Sequence, residues 1–525
     1  MAEEASLKLK TARTLKWNTV DRFGSQVLYA VVGVVLANRL SKEDFGLVGA
    51  LLVFQAFGIL FVDSGFGAAL LQRKEPTQRD YSSVFWFNLT VAVTVYAILF
   101  FCAPLIADIF QGDRRLIPLS RVMFLSFVLN GLGMVQSTRL MKRMNVKMIA
   151  VANMVGLTVS GAVGVVLAYA DFGAWALVWQ TVSLAAVKSG WLWATGHWRP
   201  SAGMHLDSLR KFWRMGLSVF SSSSLNTIFL YIYNFVIGAF HNLASLGVYT
   251  QADKWSKMGS ASISQVLTSS FVPLLSKFQD DMENFRRYMQ KINRFTAFVV
   301  FPVMIGVAAI GTPLFHALFG TKWDAAVPLF QILTIRGIFI VLMSLYNNYL
   351  LARGFGKRLI YVELIKDGMV LAAILATVWG NSVQLLVWGQ LWASVVAYWI
   401  VLVITSRATG YGVWQMLRDL LPFCVAGMLT GAVALLLMEV ISNVMLQLLA
   451  MIAGGIAVYV AVMMLARMPE LPESAAYVFG RLKSRGRNPE RRSEPRKIAI
   501  DENVDTQCKA KNKAEESKSK CKTLR

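Results

Sequence analysis

The chain alternates long apolar stretches with short polar breaks up to about residue 466. Each stretch is about long enough for an α-helix to cross a hydrocarbon core of ~30 Å. The pattern predicts an all-α polytopic membrane protein with about 14 transmembrane helices. They lie near residues 14–38, 44–71, 80–109, 115–140, 146–170, 173–195, 212–239, 244–275, 293–319, 325–352, 359–379, 382–405, 414–438 and 444–466.

The positive charge of the chain follows this topology. The formal net charge is +23, hydrophobic residues make up 56% of the chain, and the mean hydropathy is +0.51. If the N-terminus is cytoplasmic, most Lys and Arg of the connections face the cytoplasm, and the opposite side holds only Arg39, Lys42, Arg114, Arg115 and Lys322. The positive-inside rule therefore predicts that both termini are cytoplasmic, and the charge does not indicate a nucleic-acid partner.

Similar motifs recur about 200 residues apart. APLIADIFQGD at 103–113 resembles TPLFHALFGTKWD at 312–324, and segment 34–49 faintly resembles 235–250. This pattern predicts two six-helix lobes in parallel repeat, which would place a substrate site at their interface; chance similarity is the alternative. The predicted domains are an N-terminal lobe 1–200, a C-terminal lobe 201–410, an extra helix pair 411–467 and a basic, disordered cytoplasmic tail 468–525.

Six cations lie inside the apolar segments. A Lys or Arg at the middle of a bilayer costs roughly 2.5–3.5 kcal/mol, so each is expected to have a structural or functional role that offsets this cost. Because few acidic residues lie near them, the set indicates a positively charged cavity that suits an anionic substrate. The six are Arg22, Arg121, Lys188, Lys254, Arg336 and Lys366.

The first helix carries a polar stripe that includes Arg22. Its members are three or four residues apart and therefore stack on one helical face. Such a face normally lines a water-filled interior; the alternative is that Arg22 snorkels to the cytoplasmic surface. The stripe consists of Asn18, Arg22, Ser25, Tyr29 and Gly33.

The eighth segment carries the sequence QADKWSK at 251–257, near the predicted midplane. Asp253 and Lys257 are four residues apart and can pair along the helix. Lys254 points about 100° away and is then free to face a ligand. The alternative is a closed network of ion pairs between helices.

For the other charged positions the sequence leaves open whether they face a ligand or form structural ion pairs. Lys188 and Arg336 have no acid nearby on their own helices, although an acid on another helix would pair with them. Lys366 is expected to pair with Glu363 and Asp367 on its own helix. The residues assigned to ion pairing or to coupling with protons or sodium are Asp21, Asp63, Asp253 and Lys257.

Uncharged polar side chains supply candidate sugar contacts, because amides and hydroxyls both donate and accept hydrogen bonds. Asn88 and Asn226 are assigned to substrate binding; a structural hydrogen bond between helices is the alternative for each. Arg121, one or two turns below the external surface, either binds substrate or snorkels. Further candidates are Tyr96, Gln136, Tyr231 and Asn234.

The sequence excludes several chemistries. It has no G-x-x-x-x-G-K-[ST] loop, and its histidines lack metal-ligand spacing. No metal or other cofactor is predicted. The predicted external loops are too short to supply the catalytic acid or base of a membrane glycosyltransferase or ligase, so the protein is not expected to be an enzyme.

Four stretches resemble the Wzx-type polysaccharide transporters of the multidrug/oligosaccharidyl-lipid/polysaccharide exporter superfamily. They are LKWNTVDRFGSQVLY, SKEDFGLVGALLVF, DSGFGAALLQRKEP and LGVYTQADKW, and the resemblance covers about residues 10–465. It implies two six-helix lobes around a central cavity in a bacterial inner membrane, often followed by two extra helices. It also implies flipping of a polyprenyl-diphosphate-linked oligosaccharide, a lipopolysaccharide or exopolysaccharide repeat unit, from the cytoplasmic to the periplasmic leaflet.

The resulting hypothesis assigns the diphosphate to the cations and the glycan to the polar cavity, while the polyprenyl chain stays among the membrane lipids. Its substrate-binding residues are Arg22, Lys188, Lys254, Arg336, Arg121, Asn226 and Asn88. A polysaccharide polymerase and glycosyltransferases are the expected protein partners. The alternatives are a cation-coupled multidrug exporter on the same fold and a non-transporting scaffold of a polysaccharide assembly complex.

Overall fold

The computed structural model describes residues 2–279, 281–380, 382–468 and 470, and every regular element in this part is helical. The first nine helices are α1 Ala2–Arg39, α2 Lys42–Asp63, α3 Phe66–Gln72, α4 Gln78–Phe101, α5 Ala103–Ile109, α6 Leu116–Met123, α7 Leu125–Lys142, α8 Val146–Tyr169 and α9 Ala174–Thr195. The next nine are α10 Leu206–Phe240, α11 Leu243–Ser276, α12 Met282–Ala309, α13 Gly311–Phe319, α14 Val327–Ala352, α15 Gly356–Thr377, α16 Val383–Thr409, α17 Val413–Val440 and α18 Val444–Leu465. A 3₁₀ helix, Gly320–Ala326, joins α13 to α14.

All fourteen predicted segments fall on helices, so the all-α polytopic class is confirmed. Within the described residues, eleven spans are long and apolar enough to cross a membrane. The predicted segments outside this set are α9, α11 and α15, which carry Lys188, Lys254 and Lys366. The count of fourteen therefore stays a prediction.

The repeated Pro-Leu motifs fold alike. Pro104 lies in the first turn of α5 and Pro313 in the first turn of α13, two short helices that each follow a long one. Proline suits a helical first turn because the amide hydrogen that it lacks has no intrahelical partner there.

The helix is interrupted between α2 and α3. At this interruption Ser64 and Gly65 adopt positive φ angles of 48° and 69°.

The two hairpins that echo each other also begin their second helix alike. Ser41 caps the start of α2 by accepting a hydrogen bond from the amide of Asp44 at 3.1 Å. At the start of α11 the side chain of Asn242 accepts one from the amide of Ser245 at 2.7 Å. Both caps satisfy amide groups that would otherwise lack a partner in the first turn of a helix.

Helix packing joins neighbours within each predicted lobe and links the two regions through α2. In the N-terminal region α8 packs against α1 and α9, and α7 packs against α4 and α9. In the C-terminal region α14 packs against α11 and α16, while α12 packs against α17. Helix α2 contacts both α10 and α11, so it is the main link between the regions.

A large buried apolar cluster includes residues of α2, α10 and α11. Among its largest side chains are Phe110, Phe124, Tyr249, Trp323 and Phe330. On the outside, large apolar side chains are exposed, among them Trp379 at 83% and Trp414 at 77%. This distribution suits a protein whose surrounding solvent is lipid, with Trp favoured at the membrane interfaces.

The described helices up to residue 462 form one compact unit. The predicted lobes 1–200 and 201–410 both lie within this unit, and the division between them stays a prediction. The predicted tail 468–525 lies outside the described residues, apart from Met468 and Glu470.

Candidate functional site

Lys254 lies where α11 meets α1. A Cβ atom placed on Gly33 of α1 would be 2.8 Å from the Nζ atom of Lys254, so the ammonium group sits directly against that helix. The indole of Trp255 lies 5.7 Å from the same atom. Lys254 has no hydrogen bond or ion pair with any described residue. It is therefore an uncompensated cation between the N-terminal and C-terminal regions.

The acid next to Lys254 is already paired. Asp253 is only 8% exposed, and its Oδ2 atom lies 2.6 Å from the Nζ atom of Lys257 one turn along α11. The predicted local pair is therefore present, and Lys254 remains outside it. The Oδ1 atom of Asp253 is buried without a hydrogen-bond partner among the described residues. A role of this carboxylate in ion coupling stays a prediction.

A cavity of about 320 Å³ lies within the N-terminal region, enclosed by α1, α2, α7, α8 and α9. Its wall carries one cation, Lys188, among hydroxyl and amide groups. The Oε1 atom of Gln55 is buried there and lacks a hydrogen-bond partner in the described part of the chain. The polar lining consists of Ser25, Tyr29, Gln55, Asn130, Asn153, Thr181 and Lys188.

Asp21 lies beside this cavity. It accepts hydrogen bonds from Ser25 at 3.3 Å and from Asn153 at 3.1 Å. The carboxylate also attracts Lys188 electrostatically, although the two do not form a direct ion pair in the described structure. An acid of another helix therefore lies in the surroundings of Lys188 without forming an ion pair with it, and the role of Lys188 stays a prediction.

The polar stripe on α1 connects the two lysines. Ser25 and Tyr29 line the polar cavity, and Gly33, one turn beyond Tyr29, contacts Lys254. Four residues of helix advance about 6 Å, so the two sites share one wall. Arg22, on the same stripe, is half-buried and forms no ion pair with a described residue.

Arg336 occupies the C-terminal region. Its Nε atom donates a hydrogen bond to the Oγ atom of Ser394 on α16 at 3.0 Å. It also lies within electrostatic range of the hydroxyl groups of Tyr233 and Tyr249. The hydroxyl group of Ser394 thus holds the guanidinium group, and Arg336 forms no ion pair with a described acid.

The remaining predicted site residues have other surroundings. Arg121 stacks on the ring of Phe100 at 4.4 Å and donates to its carbonyl oxygen at 3.3 Å, so it caps the end of α4. Asn88 is fully buried and donates to the sulfur of Met134 at 2.9 Å, a contact between α4 and α7. Asn226 of α10 is exposed. Asp63, the last residue of α2, is also exposed.

The charged residues of α15 pair locally, as predicted. Lys366 forms an ion pair with Glu363 and lies 3.8 Å from Asp367. The sequence did not single out Gln55, Asn130, Asn153 or Thr181. Their signal was a polar uncharged residue within an apolar segment, which does not distinguish a cavity wall from a contact between helices.

One end of the bundle is closed by a seam that we call the sealed end, where residues 36–49 pack against 243–250 and 318–323. A Cβ atom placed on Gly46 would lie 1.8 Å from the carbonyl oxygen of Leu243, and one on Gly247 would lie 1.9 Å from that of Lys42. Only glycine allows this approach of two helix backbones. Trp323 adds a hydrogen bond to the carbonyl oxygen of Ala37 at 2.9 Å.

Charged side chains brace the same end outside the apolar core. Arg115 forms ion pairs with Asp113 at 2.7 Å and with Glu43 of α2 at 3.6 Å. The hydrogen bonds from Arg115 lower the pKa of Asp113, so this carboxylate stays charged well below neutral pH. The connection between α5 and α6 is thereby held against the start of α2.

Known sequences that resemble this chain point to one protein family. The model of the polysaccharide biosynthesis protein family matches residues 35–328, more than half of the chain. The succinoglycan biosynthesis transport protein ExoT of Rhizobium meliloti (strain 1021) is 26% identical over 461 residues, 86% of this chain and 92% of its own. TuaB, a teichuronic acid biosynthesis protein of Bacillus subtilis (strain 168), is 26% identical over 341 residues, 65% of this chain and 70% of its own. The lipopolysaccharide biosynthesis protein WzxC of Escherichia coli (strain K12) is 24% identical over 341 residues, 63% of this chain and 68% of its own.

Solved structures show the same fold. The lipid II flippase MurJ, in an inward closed conformation, matches with a TM-score of 0.70 at 13% identity, over 86% of this chain and 98% of MurJ. An inward-facing multidrug transporter of the MATE family matches with a TM-score of 0.56 at 14% identity, over 74% of this chain and 96% of its own. At such identities the likeness shows the fold alone.

Proposed function

Because this chain belongs to the polysaccharide biosynthesis protein family, we propose that it flips a polyprenyl-diphosphate-linked oligosaccharide from the cytoplasmic to the periplasmic leaflet. The predicted resemblance to the polysaccharide branch of the exporter superfamily is confirmed by the family, the relatives and the fold. The chain is a multi-pass inner-membrane transporter rather than an enzyme. The lipid-linked substrate and the direction of movement are the parts proposed.

The observation that carries the proposal is the uncompensated ammonium group of Lys254 at the junction of α1 and α11. A half-buried cation without an acid partner inside an apolar segment is costly, and an anionic ligand would offset that cost. The diphosphate of the carrier lipid supplies such an anion beside the apolar chain that stays in the bilayer. Lys188, reached along the same face of α1, would provide a second positive charge.

The polar cavity next to Lys188 is suited to the sugars. Its amide and hydroxyl groups both donate and accept hydrogen bonds, which matches carbohydrate hydroxyls. The unpartnered Oε1 atom of Gln55 would accept a hydrogen bond from one of them. At about 320 Å³ the cavity would hold one or two sugar rings, and the rest of the glycan would extend away from it.

Movement of the substrate would follow from opening the sealed end. If both termini are cytoplasmic, as the positive-inside rule predicts, this end would face the periplasm. The lobes 1–200 and 201–410 would then rock about the site, closing the cytoplasmic side as the seam between α2 and α11 separates. A polymerase and glycosyltransferases would act on the two membrane surfaces as partners in the same assembly.

Complementation of a strain that lacks its own copy of the gene tests the proposal. Lys254→Ala and Lys188→Ala should each abolish surface polysaccharide at unchanged amounts of membrane protein, whereas Lys211→Ala, an exposed cation on α10, should not. Normal polysaccharide in both the Lys254→Ala and the Lys188→Ala variant would reject the assignment. A second assay separates the drug-exporter alternative, since loss of the gene should leave sensitivity to cationic dyes unchanged.

A further inference from the structure

A second, larger cavity lies outside the proposed transport site. It has a volume of about 1090 Å³ and opens between the start of α12, the start of α17 and the connection 410–412. Helix α12 presents Arg286, Arg287 and Arg294, and α17 presents Arg418. Four arginines thus face one space formed by the C-terminal region and the extra helix pair.

The buried acid of this cavity is already engaged. Asp419 is 7% exposed and accepts hydrogen bonds from the hydroxyl of Tyr411 and, at 3.3 Å, from Gln290. Its Oδ1 atom also lies 3.7 Å from Arg294. Burial raises the pKa of Tyr411, which keeps its hydroxyl protonated as a donor to Asp419. Arg294 and Asp419 therefore compensate each other.

Three arginines remain with unused donors. Arg286 uses Nε to donate to the carbonyl oxygen of Thr409 at 3.0 Å, which holds the guanidinium in place while its terminal nitrogens stay available. Arg287 and Arg418 are exposed and have no hydrogen bond or ion pair with a described residue. Among the described lining residues Glu283 is the one other carboxylate, so this lining keeps a net positive charge.

Hydrogen bonds join the walls of the cavity, and an exposed tryptophan lies beside them. Asn293 of α12 donates to the carbonyl oxygen of Met416 on α17 at 3.3 Å and accepts from the hydroxyl of Tyr346. Trp414, in the first turn of α17, is 77% exposed. Such an indole is typical of the headgroup region of a bilayer.

We propose that this cavity binds a phosphate or diphosphate group at the membrane surface, independently of the proposed transport site. Guanidinium groups bind phosphate through paired, charge-assisted hydrogen bonds, and here three with free donors line one cavity between α12 and α17. The phosphoryl group belongs either to a membrane lipid headgroup or to a soluble diphosphate. The extra helix pair would then contribute to phosphate binding, since α17 forms one wall of the site.

Binding measurements on the full-length protein test this inference. One arm titrates inorganic pyrophosphate into detergent-solubilised protein, and the other compares lipid nanodiscs of phosphatidylcholine with nanodiscs that contain phosphatidylglycerol by native mass spectrometry. Pyrophosphate binding alone assigns the site to a soluble diphosphate, and retained phosphatidylglycerol assigns it to a lipid headgroup. Binding of pyrophosphate or of phosphatidylglycerol should weaken as the salt concentration is raised.

The variant Arg287→Gln/Arg418→Gln should weaken binding by about tenfold or more, since it removes two charged donors. Arg210→Gln/Arg214→Gln, which removes two exposed arginines of α10, is the matched control and should bind as the parent does. Gln415→Glu adds a negative charge to the lining without removing an arginine, and it should also weaken binding.

Equal binding by the parent and the Arg287→Gln/Arg418→Gln variant would overturn the proposal, as would an equal loss in the control. The Lys254→Ala variant keeps this test separate from the proposed function, because it should lose transport yet retain pyrophosphate or phosphatidylglycerol binding. Loss of that binding in Lys254→Ala would mean that the phosphate binds at the junction of α1 and α11, and would reject the second site.

Discussion

Replacing Gly247 by alanine is expected to open the sealed end. The new Cβ atom would lie 1.9 Å from the carbonyl oxygen of Lys42 and 2.9 Å from the amide nitrogen of Gly46. Both neighbours are backbone atoms, which cannot rotate aside. Ordinary contact needs about 3.4 Å, so α2 and α11 must separate by about 1.5 Å at this point.

The energetic consequence follows from the packing of this seam. Overpacking of a tight contact costs about 1–3 kcal/mol, and here the cost falls only on the conformation in which the seam is closed. Alanine also favours the helix by about 1 kcal/mol, but this gain applies to the open and closed conformations alike and cancels. The equilibrium should therefore shift about 5- to 150-fold toward opening.

Labelling of an engineered cysteine measures the shift. The background lacks Cys102, Cys424, Cys508 and Cys521 and carries Thr250→Cys, a position whose hydroxyl lies against Gly49 in the seam. A membrane-impermeant maleimide added to intact cells should label this cysteine faster when Gly247→Ala is present. Gly306→Ala is the matched control, because no atom of a described residue lies within 4 Å of its new Cβ. An unchanged rate at normal protein amounts would refute the interpretation of the seam as a gate.

Two further outcomes distinguish structural from ligand-facing polar groups. Lys257→Ala leaves the buried carboxylate of Asp253 unpaired and should lower the free energy of unfolding by about 1–3 kcal/mol, whereas Lys254→Ala should leave it unchanged or raise it. Thermal unfolding in detergent checks both, and an equal loss would contradict the difference. Gln55→Leu removes an amide oxygen without a described partner, so unfolding should be unaffected while surface polysaccharide falls; normal polysaccharide would exclude this amide from the site.

The apolar pattern predicted the helices well because length and hydrophobicity are local properties of the chain. Each predicted segment corresponds to helix, and the local ion pairs of α11 and α15 followed from residue spacing alone. The interruption between α2 and α3 at Ser64 and Gly65 was not foreseen. It lies inside an apolar run, where the pattern of hydrophobic residues carries no signal for a break.

The candidate site was predictable only in part, because contacts between helices depend on which faces meet. Lys254 could be recognised as a free cation from its position beside a paired acid. Asn88 and Gln55 look alike in sequence, since each is an amide within an apolar segment. Packing assigns Asn88 to a contact with Met134, whereas Gln55 faces a polar cavity.

The contacts at the sealed end also bear on the duplication. Gly46 contacts the carbonyl of Leu243, and Gly247 contacts that of Lys42, so residues separated by the same 201 positions exchange partners. A reciprocal pattern of this kind is what a two-fold relation between repeated hairpins produces. If both hairpins contribute equally to the gate, Gly46→Ala should accelerate labelling of the engineered cysteine as much as Gly247→Ala does. A response in only one of the two variants would mean that the halves have diverged in their part of the movement.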